Sequence, residues 1–99
     1  MQQVIAGFDW DTGNLEKCCK HGVSIDEIET ILSNDPVIAP DIKHSMREDR
    51  LIAIGRNSEG RPVFIAFTIR TRNGLHYFRP VSVRFMRAKE AERYEKKSP

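Results

Sequence analysis

The sequence predicts an α+β sandwich, with helices packed on an antiparallel sheet. Three observations predict it. Ser24-Ile25-Asp26-Glu27 is a capping box, and Ile25, Ile28, Ile31 and Leu32 follow at helical spacing. Residues 51–86 hold three β-rich runs separated by turns, one of them Asn73-Gly74, the strongest short hairpin signal. Residues 88–97 have the composition of a helix, with Ala91 and Tyr94 on its inner side. The chain has 99 residues, of which 39% are hydrophobic. That makes one domain over 1–99, because two independent cores do not fit this length.

The elements follow in order. Val4-Ile5-Ala6-Gly7-Phe8 has the make-up of a short strand. Asp11 or Thr12 caps a first helix that runs to about Lys20, with Leu15, Cys18 and Cys19 as a narrow apolar stripe. His21-Gly22 ends it, since glycine suits the left-handed position after a helix. The second helix starts after Ser24, with Val23 placed to staple onto Ile28, and Asn34-Asp35-Pro36 stops it. Two prolines confine residues 36–41 to a short extended edge. Residues 42–50 read as a polar loop. Residues 51–56 are a strand, 57–60 a turn, 62–70 a strand, 71–74 a turn and 75–86 the last long strand. The central strand carries a near-continuous apolar run, as expected where both faces are covered. The expected order is helix, helix, antiparallel meander, helix.

Composition excludes several classes. No stretch approaches the roughly 18 apolar residues of a membrane span. Met1-Gln2-Gln3 lacks the basic and apolar segments of a secretory signal. A cytoplasmic protein with no membrane partner is expected. Cys18 and Cys19 are adjacent, and such neighbours rarely meet disulfide geometry. One is expected in the core and the other facing outward. His21, His44 and His76 lack ligand spacing, and no carboxylate cluster, glycine-rich phosphate loop or Ser-His-Asp arrangement is evident. Neither metal nor cofactor is expected.

The net charge of +2 hides a division. Residues 1–49 carry four Lys and Arg against ten carboxylates, net −6, whereas residues 50–99 carry nine Arg and three Lys against four Glu, net +8. An Arg-rich half of this kind suits a polyanion, because the planar guanidinium fork matches phosphate. The alternative is a solvated strand face balanced by the acidic half.

Candidate site residues concentrate on the last strand. Arg79, Ser82 and Arg84 lie among Phe78, Val81, Val83 and Phe85, with Arg87 beyond. Period two puts Ser82 and Arg84 on one face and Arg79 opposite, unless Pro80 marks a bulge. Arg70 on the neighbouring strand lies beside them. Such a cluster stabilises charge building on a pentacoordinate phosphorus, or else it salt-bridges Glu90, Glu92 and Glu95. His21, directly after Lys20, reads either as a general acid or base or as a cation at a helix end. His44, near Glu48, and His76 read as surface histidines. Tyr94 reads as a core anchor whose hydroxyl also reaches a substrate, and Trp10 and Phe8 as core or contact residues.

Phe8-Asp9-Trp10-Asp11, Asn14, Lys20-His21-Gly22-Val23-Ser24, Ile54-Gly55-Arg56, Arg79-Pro80-Val81-Ser82-Val83-Arg84 and Glu92-Arg93-Tyr94-Glu95 together resemble the BrnT family of bacterial type II toxin–antitoxin systems. The resemblance runs in order from about Phe8 to Glu95, with Val83 and Phe85-Met86 departing from it. It implies a RelE-like fold: an antiparallel sheet with two helices before it and one after. It implies a metal-independent endoribonuclease that halts translation. It also implies a BrnA-like antitoxin whose ribbon-helix-helix domain binds DNA, so that the toxin meets DNA only through that partner. Carried over by residue, the family's basic positions fall on Lys20, His21, Arg79 and Arg84.

The leading expectation is thus an RNase toxin with His21, Arg79 and Arg84 as catalytic residues and Lys20, Arg70, Ser82, Arg87 and Tyr94 as substrate contacts. A non-catalytic module that binds RNA or the antitoxin, and a structural partner in operon repression, are the alternatives.

Overall fold

The computed structural model describes residues 4–42 and 49–97. The loop expected at 42–50, with His44 and Glu48, falls outside the described residues except at its ends. β1 (Ile5–Phe8) leads into α1 (Thr12–Cys19) and α2 (Ile25–Ser33). β2 (Val37–Pro40), β3 (Leu51–Arg56), β4 (Pro62–Arg72) and β5 (Leu75–Phe85) follow, then α3 (Ala88–Lys97).

The local signals operate as chemistry requires. Asp11 caps α1: its side chain accepts from the Asn14 N–H at 3.1 Å, and Asn14 returns the bond to the Asp11 N–H at 2.7 Å. Ser24 and Glu27 form the same reciprocal box at α2. β4 extends to Arg72, and the turn shrinks to Asn73-Gly74, both at positive φ. That is the two-residue hairpin turn whose twist matches the strands.

The strands form one sheet in the order β1-β5-β4-β3-β2. The β2 to β5 pairings are antiparallel, but β1 pairs parallel with β5, through Gly7 with Tyr77 and Phe8 with Phe78. The sheet is therefore mixed, which corrects the antiparallel expectation, and the first two helices lie between β1 and β2 rather than ahead of the sheet. The reason is physical. Antiparallel neighbours announce themselves through hairpin turns, whereas a parallel partner about 70 residues away has no local signal.

α1 and α2 pack on one face. Cys18, Val23, Ile28, Ile31 and Leu32 meet Val63, Ile65, Phe67 and Val83 there. α3 covers the other face, where Ala91 and Tyr94 meet Ile52, Ile54 and Phe64. β4 is buried on both sides from Ile65 to Thr68. Cys18 is fully buried, and burial pushes its thiol up to about 11.

Candidate functional site

The site begins with an irregularity in β5. Ala66 pairs with Ser82 but Phe67 pairs with Pro80, so Val81 is an extra residue in the ladder. This bulge reverses the alternation. Arg79, Ser82 and Arg84 lie opposite Thr68, Ala66 and Phe64, every second residue of β4. All three therefore share one face, together with Arg70. The four-residue span from Phe64 to Thr68 separates Arg79 from Arg84 by about 13 Å.

Arg79 is held by two carboxylates. Its Nη2 lies 3.0 Å from Asp11 Oδ2 and its Nη1 lies 3.4 Å from Asp9 Oδ2. The Asp9 side chain is only 9% exposed and also pairs with Arg72 at 3.0 Å. The Asn14 N–H and the Arg79 guanidinium hold the Asp11 carboxyl below its ordinary range. Where β1 stops, α1 meets the edge of β5 and leaves a cleft of about 280 Å³. Lys17, Arg50, Arg70 and Arg79 line it, with Gly13, Asn14, Pro80 and Val81. Thr68, opposite Arg79, is 1% exposed, and its hydroxyl finds no hydrogen-bond partner among the described residues.

Arg84 takes a different role. It makes a bidentate pair with Glu90 of α3, at 3.0 and 2.8 Å, and stacks over Phe64 with 4.4 Å to the ring centroid. That pair raises the Arg84 pKa and lowers that of Glu90. Of the salt bridges expected from the arginines to Glu90, Glu92 and Glu95, the one from Arg84 to Glu90 is present. Arg56 is bound the same way to Glu95. Tyr94 is half-buried in the core against α3's face of the sheet, while Ser82 and Arg87 are exposed.

Lys20 and His21 are exposed just beyond α1. Asn14 touches Pro80, whereas Gly22 approaches the Phe85 ring, so α1 runs along β5. His21 is seven residues beyond Asn14, about 10 Å along the helix direction. The structure thus gathers Arg70 and Arg79, sets Ser82 and Arg84 further along the same face, and leaves His21 at the far end of α1. Lys17 and Arg50 join the cleft without having been singled out in the sequence. The available signal for Lys17 was its place three residues after Asn14, one turn along the same helix face.

A second, larger groove of about 820 Å³ lies between β1 and the end of α2, lined mainly by apolar residues such as Ile5, Phe8, Leu51, Phe67 and Phe78. Among the described residues no group of three or more His, Cys, Asp or Glu is placed to hold a metal ion.

A model of the BrnT family, described as the ribonuclease toxin of type II toxin–antitoxin systems, matches residues 10–90. The chain belongs to the BrnT family. No individually curated protein matches it. Membership makes it a toxin of the ribonuclease class, and a type II system supplies such a toxin with an antitoxin. No described helix is long and apolar enough to cross a membrane.

Proposed function

We propose that the chain is a cytoplasmic, metal-independent endoribonuclease whose reaction centre is the cleft at Arg79. The observation that carries this is the convergence of Lys17, Arg50, Arg70 and Arg79 on one cleft. In phosphodiester cleavage without metal, a base takes the proton of the ribose 2′-hydroxyl, and the 2′-oxygen attacks the adjacent phosphorus. The bond to the 5′-oxygen breaks, an acid gives that oxygen a proton, and a 2′,3′-cyclic phosphate remains. Negative charge grows on the non-bridging oxygens, and prearranged cations at that point lower the barrier. Arg79 is suited to this because Asp9 and Asp11 fix its guanidinium before substrate arrives. A phosphate displaces the exposed Asp11 carboxylate from it. Ser82, Arg84 and Arg87 continue the polar track along β5, and Lys20 and His21 contact RNA that runs along α1.

The mixed sheet flanked by helices on both faces supports a RelE-like assignment. Cleavage of messenger RNA stops translation. The partner is a BrnA-like ribbon-helix-helix antitoxin that lays an acidic segment over the same arginines, so inhibition is competition. DNA is met only through that partner.

The test is cleavage of single-stranded RNA with EDTA present, followed by end-group analysis. Fragments ending in 2′,3′-cyclic phosphate are expected. RNA that is shifted on a gel but intact supports the binding-module reading instead, which the carboxylate pairing of Arg84 favours. Titrating in the antitoxin tests the partner: cleavage should stop as the complex forms, and continued cleavage places the antitoxin elsewhere.

A further inference from the structure

Asn14 is 5% exposed and sits at the third position of α1. A capping box needs only an acceptor there, which Glu or Gln commonly provides. Asn14 provides it, accepting from the Asp11 N–H at 2.7 Å. Its amide nitrogen then does something the box does not need. Nδ2 donates to the Asp9 carbonyl at 3.0 Å and to the Pro80 carbonyl at 2.9 Å. Both donors of a buried amide are thus used on the backbone of two other segments.

The three segments it joins are those that place Arg79. Asp9 and Asp11 are the two carboxylates paired with Arg79, and Pro80 is the next residue along β5, at the bulge. The bulge turns Arg79 onto its face, and β1 has already ended at Phe8. The Asp9 N–H still donates to the Phe78 carbonyl at 2.8 Å, and Asn14 extends that link between the β1–α1 junction and β5 past Arg79 to Pro80.

We infer that Asn14 is a positioning residue: its amide fixes the Arg79 guanidinium in the cleft by tying both carboxylate partners to the β5 bulge. This rests on the reading that Arg79 is at the reaction centre. A misplacement of about 1 Å in a charge-stabilising group costs roughly 10²-fold in rate. Losing the amide should therefore lower kcat, with KM for RNA changed only slightly.

The experiment is a double-mutant cycle with Asn14→Asp and Arg79→Ala, following cleavage of a labelled single-stranded RNA. Asn14→Asp keeps the size and the capping acceptor but loses both donors. The expected result is a fall in kcat of about 10- to 10²-fold for Asn14→Asp. The double variant should be no slower than Arg79→Ala alone, because one group acts through the other. Losses that multiply in the double variant overturn the inference, as does an unchanged kcat with a lowered melting temperature. If Asn14→Asp does not fold by circular dichroism, Asn14→Ser, which keeps one donor, replaces it in the cycle. If neither folds, Asn14 is a fold determinant and the inference is overturned. Arg79→Ala by itself separates the two claims: wild-type cleavage in that single variant refutes the cleft as reaction centre, whatever Asn14 does.

Discussion

Arg79→Ala should abolish most RNA cleavage while leaving a folded protein, and the structure allows both effects to be sized. Removing the guanidinium leaves Asp11, 56% exposed, free to solvate at little cost. Asp9 is the sensitive partner because its side chain is 9% exposed, but it keeps Arg72 at 3.0 Å. Its longer contact to Arg79, 3.4 Å, is the one lost. A buried group that loses one of two partners costs about 1–2 kcal/mol, below the 3–5 kcal/mol of an orphaned buried charge. Subtracted from a stability of about 5–15 kcal/mol, this leaves more than about 99% of the chain folded at neutral pH. The transition-state loss is larger. One donor aimed at developing oxyanion charge is worth about 2.7–4 kcal/mol, or 10²–10³-fold in rate. Single-turnover cleavage and a urea midpoint on the same preparation separate the two losses. Arg79→Lys should fall between, since it keeps the charge but not the fork. Undiminished cleavage by folded Arg79→Ala would refute the cleft as reaction centre.

Four further outcomes are expected. His21→Ala should change cleavage by less than about tenfold, because the side chain is exposed at the far end of α1; a loss of 10²–10⁴ would move proton transfer there. Arg84→Ala should cost less than about 1 kcal/mol, since its pair with Glu90 is 44% and 35% exposed, and should weaken RNA binding more than turnover; a large loss of kcat with KM unchanged contradicts this. Gly55→Ala should lower the unfolding free energy by on the order of 1–3 kcal/mol, read as a lower urea midpoint, because a Cβ there meets Ile31 Cγ2 at 2.5 Å; an unchanged midpoint shows that α2 yields instead. Stability should hold from neutral pH to about 5 and then fall, as follows from the carboxyls of Asp11, Glu27 and Glu90. They are lowered chiefly by the Asn14 N–H, the Ser24 N–H and the Arg84 side chain, respectively. A lowered folded pKa adds stability above the unfolded values of 3.8 and 4.5, and that stability is lost as pH falls through the folded values. Glu27→Gln should blunt the acid limb of the urea-midpoint profile, and an identical profile counts against the linkage.

Much of the fold was legible because the signals were local. The Ser24–Glu27 box, the Asn73-Gly74 turn and the helical spacing of Ile28, Ile31 and Leu32 each act within a few residues, and the structure realises each of them. β1's partner was not legible. Nothing within Ile5–Phe8 points to residues 76–78, and the parallel pairing depends on the chain returning to β5 after two helices and three strands. The bulge was half legible: Pro80 signalled it as a condition, but only the ladder shows that Val81 is the extra residue and that Arg79 therefore joins Ser82 and Arg84.

The site was less legible than the fold because a cation in a sequence does not display its counter-ion. Arg79 and Arg84 look equivalent on one strand, yet one faces a cleft with Lys17, Arg50 and Arg70 while the other is clamped to Glu90. The motifs that identify the family divide in the same way. Asp9, Asp11 and Asn14 fix the approach to Arg79. Gly55 admits Ile31, and Arg56 binds α3 through Glu95. These residues hold a frame. Of the cations that line the cleft, only Arg79 belongs to those motifs. Family recognition from sequence therefore rests mainly on the frame, while substrate contact rests on a cleft whose other cations, Lys17, Arg50 and Arg70, come from α1, the approach to β3 and β4. Substituting those three cations, with the fold checked by circular dichroism, tests substrate binding at positions outside the family motifs, which substituting the motif residues cannot do.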